Sequence, residues 1–153
     1  YTSAPLYWLA VIYLNYAEAK AELGTITNDD LENTINKLKK RAGLPPITKD
    51  VADAGDNDMG VSPLIWEIRR ERRCELMFDN DFRYWDLIRW HQLDKLDNSV
   101  NPDILLGANV SNDPDINHDK SGDYIDGSTG RIRAFEAKHY LYPIPSGHRI
   151  LCG

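Results

Sequence analysis

The chain has 153 residues, 42% of them hydrophobic and 27% charged, which suits one domain or part of a larger one and excludes wholesale disorder. Its net charge of -6 weighs against a nucleic-acid backbone as partner, which needs a basic surface. Two cysteines, Cys74 and Cys152, exclude a disulfide framework and a Cys-rich zinc site, and the longest near-apolar run, Leu6 to Leu14, falls far short of the roughly twenty residues a membrane-spanning helix needs. No secretion signal is visible, and the chain opens at Tyr1 without a Met.

Apolar residues follow a helical period from Pro5 to Leu23, where Leu9, Ile12, Tyr16, Ala19 and Leu23 step by three or four. Ala17, Ala19 and Ala21 allow a neighbouring helix to come close, and Gly24 supplies a left-handed stop. Thr27 with Asp30 three residues on predicts a capping box. The stripe Leu31, Ile35, Leu38 and Ala42 then predicts a second helix ended by Gly43, with Leu44-Pro45-Pro46 barring its continuation. The short link predicts an αα-hairpin.

Residues 47–61, rich in Asp, Asn and Gly, read as a loop. Ser62-Pro63 restarts a helix with a hydroxyl cap and a proline at its first position, predicted to run to about Phe78. Asp79-Asn80-Asp81 interrupts it, and Asp81 caps a fourth helix to about Leu93. The result is two helical hairpins of tetratricopeptide size, without an obvious internal repeat.

The third helix carries four arginines and three glutamates between Glu67 and Glu75. These charges sit in register with Ile68, Leu76 and Phe78, which predicts a buried Arg–Glu network in preference to a solvated face. Cys74, mid-helix among arginines and without an identifiable base, reads as a buried structural thiol. On the fourth helix Phe82, Tyr84, Trp85 and Trp90 read as core in preference to a stacking platform.

Several segments together resemble the SusD/RagB family of Bacteroidota outer-membrane nutrient-binding lipoproteins. They are Tyr13 to Ala19, Ile35 to Pro45, Ile68 to Phe78, Arg83 to Trp90, and Tyr140-Leu141-Tyr142-Pro143-Ile144-Pro145. Five such segments in the family's order are specific where any one is weak. The resemblance implies a mainly α fold, with tetratricopeptide-like helical hairpins and long irregular loops forming the C-terminal part of a SusD-like superhelix. It makes residues 1–153 a single region, helical over 5–93 and irregular over 94–153. It further implies a glycan- or nutrient-binding subunit, not an enzyme, that serves polysaccharide utilization by capping a SusC-like TonB-dependent transporter at the cell surface. The lipid anchor of such a protein would lie outside this chain, which the resemblance makes a fragment. Arg72, Glu75, Arg83, Trp85, Asp86 and Arg89 are structural signature positions in this reading. The family's ligand contacts sit on variable loops, so no ligand-binding residue carries over.

The irregular half holds thirteen Asn or Asp residues between Asp94 and Asp126. Asp115, Asn117, Asp119, Ser121, Asp123 and Asp126 have the oxygen spacing of a calcium loop, but Lys120 stands where glycine makes the sharp turn and Asp126 replaces the bidentate glutamate. The segment reads as a solvated Asx-rich loop, with calcium as the alternative and no other cofactor implied. Within it Tyr124 is the best single candidate for a sugar contact, against a Tyr folded over its own loop. Short extended segments are predicted near Arg131, Arg133 and Phe135, over His139 to Tyr142, and through Pro143-Ile144-Pro145. Asn109-Val110-Ser111 matches a glycosylation sequon by chance.

The four histidines form no metal-protease pair, and no nucleophile elbow or phosphate loop occurs. The leading function is therefore nutrient binding. The alternative is a helical-repeat scaffold that binds another protein and has no sugar site.

Overall fold

The computed structural model describes residues 8–79, 81–112, 124–126 and 132–141. Five α-helices dominate: α1 (Leu9–Glu22), α2 (Asn28–Asn33), α3 (Ile35–Arg41), α4 (Pro63–Glu75) and α5 (Phe82–Arg89). A two-stranded antiparallel sheet, β1 (Leu106–Asn109) with β2 (Tyr124–Asp126), follows them. Short 3-10 turns cover Leu93–Leu96, Pro102–Leu105 and Ala137–Tyr140. The chain is mainly α, as expected.

The helix ends obey the local signals closely. Gly24 at φ 67° closes α1: its N–H donates to the Ala21 carbonyl at 3.0 Å, and the Thr25 N–H donates to the Lys20 carbonyl at 2.9 Å. Gly43 and Leu44 repeat this pattern at the end of α3, on the Lys40 and Lys39 carbonyls. Both are Schellman motifs, in which glycine takes the left-handed position without steric cost. At the start of α2 the Asp30 N–H donates to the Thr27 hydroxyl, and the Thr27 N–H donates to the Asp30 carboxylate at 2.8 Å. Ser62 caps α4, with Pro63 at its first position.

The expected second helix is two helices. Thr34 breaks it with φ -126° and ψ -95°. Its hydroxyl donates to the Asp30 carbonyl at 2.6 Å, in place of the amide bond that an unbroken helix would make. The third helix ends at Glu75 instead of Phe78, because Phe78 takes a left-handed φ of 66°. The fourth ends at Arg89 instead of Leu93. There His91 adopts φ 53° and its N–H bonds the Ile88 carbonyl, while the Gln92 N–H bonds the Leu87 carbonyl at 2.8 Å. A histidine thus fills the role that glycine fills after α1 and α3. At the first helix Trp8 is extended, so the described helix starts at Leu9.

Two compact units divide between Arg83 and Tyr84, inside α5. In the first, α4 packs chiefly on α1, with α3 against both. Its core is Leu14, Ala17, Ile35, Leu38, Ile68 and Leu76, edged by Tyr13, Ile26, Ile47 and Phe82. This corrects the expected packing face of α1. Leu9, Ile12, Tyr16, Ala19 and Leu23 are exposed, and Leu14, Ala17 and Glu18 are buried. The helix is apolar around most of its circumference, so spacing alone could not choose the buried line. Asn36 anchors the following loop: the Ile47 N–H donates to its Oδ1 at 2.9 Å, and its Nδ2 donates to the Ile47 carbonyl at 3.0 Å.

In the second unit Leu106 pairs with Asp126 and Asn109 with Tyr124. Gly107 permits this approach, since a Cβ there would lie 2.6 Å from the Ile125 carbonyl oxygen.

Candidate functional site

The charged helix α4 forms a buried network in the first unit. Glu18, Lys39, Glu67, Arg69, Glu71 and Arg72 are all buried. Arg69 Nε meets Glu18 at 3.2 Å and its Nη2 meets Glu22 at 2.9 Å, which ties α4 to α1. Lys39 Nζ reaches Glu67 at 3.2 Å and Glu71 at 3.5 Å, which ties α3 to α4. Arg72 donates to Asn15 Oδ1 at 2.8 Å and lies over the Phe82 ring. Burial would raise the Glu67 carboxyl, but the hydrogen bonds and charges of Arg70 and Lys39 outweigh it and hold Glu67 below the usual carboxylate range. Sequence reasoning named the helix but missed the partners Glu18, Lys39 and Asn15, which lie on other helices. These bonds lock helices together and leave little to offer a ligand.

The remaining signature positions are also engaged. Glu75 accepts from Arg41 Nη2 at 2.6 Å. Asp86, buried, accepts from Arg89 Nε at 2.8 Å, and Arg89 stacks over Trp90 at 4.6 Å. Arg83 is half-buried. Trp85 meets Tyr84 edge-on with ring centroids 5.6 Å apart, and it is 49% exposed. The reading of these aromatics as core is thus corrected for Tyr84 and Trp85, which are exposed on the short helix α5. Cys74 is exposed, not buried. It shares the exposed side of α4 with Arg73, while Ile68, Glu71 and Arg72 take the buried side.

The site with room for a ligand lies in the second unit. The Asn98 side chain and backbone hold the extended segment 132–136: the Arg133 N–H donates to Asn98 Oδ1 at 2.7 Å, and the Asn98 N–H donates to the Arg133 carbonyl at 3.0 Å. Asp97 continues the clamp, accepting from the Phe135 N–H at 2.6 Å and from both the Ser99 hydroxyl and N–H. The Ser99 hydroxyl first, then the two backbone amides, hold the Asp97 carboxyl below its ordinary value. The Leu93 N–H donates to the Tyr140 hydroxyl at 3.2 Å, and Tyr140 packs against His91 and Phe135.

This clamp frames an open cavity of about 510 Å³. Leu93 and Leu96 line one side, Tyr84 another, and Ile132 to Phe135 with His139 and Leu141 the rest. The volume lies in the range of small-molecule sites, which are mostly apolar with a few placed polar groups. Here the polar residues of the lining are Tyr84, Arg133 and His139. The Glu136 N–H donates to His139 Nδ1 at 2.9 Å, which assigns the neutral ring's proton to Nε2. A smaller hollow of about 400 Å³ in the first unit, beside Tyr13, Tyr16 and Asp29, is partly closed by the Tyr16–Asp30 hydrogen bond at 2.8 Å.

Tyr124 sits on β2, half-exposed, and does not line the larger cavity. Asp115, Asn117, Asp119, Ser121 and Asp123 lie outside the described residues, and Asp126 ends β2. Among the described residues no group of three or more His, Cys, Asp or Glu could hold a metal. The segment His139 to Tyr142, expected as extended, is a 3-10 turn through Tyr140, because the Leu141 N–H closes on the Lys138 carbonyl and the His139 N–H on the Glu136 carbonyl. The sequence did not reveal the Asp97-Asn98 clamp. Both residues were visible only as part of an Asx-rich loop, and their partners lie more than thirty residues away.

Among the described residues no helix is long and apolar enough to cross a membrane. No curated protein and no solved structure matches the chain. The family model described as the SusD family matches residues 2–149, nearly the whole chain. SusD family proteins bind glycans and other nutrients, work with SusC-like transporters, and are binding proteins and not enzymes. With that match and a mainly helical fold, the chain belongs to the SusD family of outer-membrane-associated nutrient-binding proteins.

Proposed function

We propose that this chain binds an oligosaccharide in the cavity of the second unit and passes it to a SusC-like TonB-dependent transporter. In this reading the protein is held at the outer membrane by a lipid anchor. The observation that carries the reading is the clamped cavity itself, large enough for a sugar unit or two and faced by Tyr84 and Phe135. Aromatic faces pack on the apolar C–H faces of sugar rings, and the polar lining fixes orientation.

Calorimetric titration of the chain with a panel of oligosaccharides tests this. Saturable binding that Phe135→Ala weakens at least tenfold, with the helical spectrum intact, is the expected result. A panel without binding, or binding indifferent to Phe135, overturns the site. A second reading, a surface for another protein, draws on the exposed line Leu9, Ile12, Tyr16 and Leu23 of α1. Charge substitution at Ile12 would abolish partner capture under that reading and leave sugar binding untouched.

A further inference from the structure

We propose that the cavity of the second unit selects an acidic saccharide, one whose sugar units carry a carboxylate, with Arg133 facing that group. The inference rests on the cavity being the saccharide site. It concerns which sugar the site takes.

The argument begins with what the lining side chains can exchange. Arg133 has only donors and a permanent positive charge. It makes no ion pair or side-chain hydrogen bond among the described residues, and what fixes it in place is its backbone, held on Asn98. His139 uses its acceptor nitrogen on the Glu136 N–H and keeps a donor at Nε2. The nearest acidic side chain in sequence, Glu136, is taken by Lys138 at 2.8 Å and is not part of the lining. Apart from the Tyr84 hydroxyl, the described lining offers no side-chain acceptor that remains free.

A neutral sugar presents hydroxyls that donate as well as accept. A site built for it supplies carboxylates or side-chain amides to take those protons, and a donor-rich wall leaves some unpaired at a cost. A carboxylate accepts only, carries the charge that matches Arg133, and is met by a planar guanidinium through two parallel bonds. The apolar remainder of the cavity, Leu93, Leu96, Ile132 and Phe135, suits the C–H faces of the same ring. Size, apolar faces and donor-rich chemistry together favour a uronate-type sugar.

The test compares two disaccharides of one shape, digalacturonate and its neutral counterpart α-1,4-galactobiose, by calorimetry on the full chain. Digalacturonate should bind on the order of tenfold more tightly at low salt, and the gap should narrow as ionic strength rises. Arg133→Gln should erase that gap while sparing galactobiose, and Arg133→Lys should restore part of it. Because the clamp holds Arg133 through its backbone, these variants keep the segment in place, which exchange protection of the Arg133 amide verifies. His139→Gln gives a second variant, expected to weaken digalacturonate more than galactobiose. Galactobiose bound as tightly as digalacturonate overturns the acidic preference and leaves the binding function standing. An unchanged preference in R133Q overturns the role of Arg133. A free-carboxylate dipeptide bound more tightly than digalacturonate overturns the sugar assignment. Binding of no saccharide at all overturns this inference and the proposed function together.

Discussion

Asn98 pairs with Arg133 as a neighbouring strand would: the Asn98 N–H donates to the Arg133 carbonyl at 3.0 Å, and the Asn98 side-chain oxygen takes the Arg133 N–H at 2.7 Å. Asp97 takes the Phe135 N–H two residues on. The cavity wall is therefore held by two side chains and one backbone N–H, and not by a sheet. Asn98→Ala should release the Arg133 amide to faster hydrogen exchange and cost about 1 kcal/mol locally. Ligand binding should weaken with it, while the exchange of Leu14 and Ile68 stays unchanged. Equal protection of the Arg133 amide in wild type and variant would count against the clamp.

Lys39 ion-pairs with Glu71 and shares Glu67 with Arg70. Lys39→Met should thus leave Glu71 buried without its ion-pair partner, at a cost of about 3–5 kcal/mol in denaturant melts. The double variant Lys39→Met with Glu71→Leu should recover most of that loss, since an apolar pair replaces a buried charge. Additive losses in the double variant would show that Lys39 and Glu71 are not coupled.

His91 sits at φ 53°, where a side chain with a Cβ costs roughly 1–2 kcal/mol, and its ring lies 4.9 Å from Tyr140. His91→Ala loses the ring contact and keeps the strain, whereas His91→Gly loses the contact and relieves the strain. Thermal melts should rank the glycine variant above the alanine variant by about 1 kcal/mol. The reverse order would contradict the Schellman role of this position.

Stability should fall in acid. Glu67 and Asp97 both have carboxyls held below their ordinary values of 4.5 and 3.8. The unfolded chain then binds more protons than the folded one between the two states' pKa values. These groups stabilise the fold fully above about pH 5, and that contribution fades as pH drops through the unfolded and then the folded pKa. The melting temperature should be flat near neutrality and decline below about pH 4.5. Glu67→Gln should give a shallower decline. An unaltered slope in that variant would remove Glu67 from the account.

Features set by a few neighbouring residues were legible in the chain. Thr27 and Asp30 announced their capping box, Gly24 and Gly43 their stops, and Ser62-Pro63 the start of α4, because each acts over one turn of backbone. The buried charges of α4 were legible as a pattern, since Glu71 and Arg72 fall in register with Ile68. Their partners were not, because sequence spacing carries no information about which face of α1 or α3 would meet them. The same gap reversed the packing face of α1, where Leu9, Ile12 and Tyr16 made as good a stripe as the residues that are buried. His91 was missed as a helix stop because nothing local demands a left-handed histidine.

The sequence by itself determined where α1 and α3 stop and where α2 and α4 start, that the chain is acidic and mainly helical, and that its ordered motifs resemble the SusD family. Tertiary structure alone decided which line of α1 is buried, which carboxylates Arg69 and Lys39 meet, and that Asp97 and Asn98 hold the segment bearing Arg133 and Phe135. The division has one physical cause. Caps and turns are closed by groups within a few residues of each other, whereas the cavity is closed by hydrogen bonds between residues 35 and 38 positions apart, whose meeting depends on how the whole unit packs.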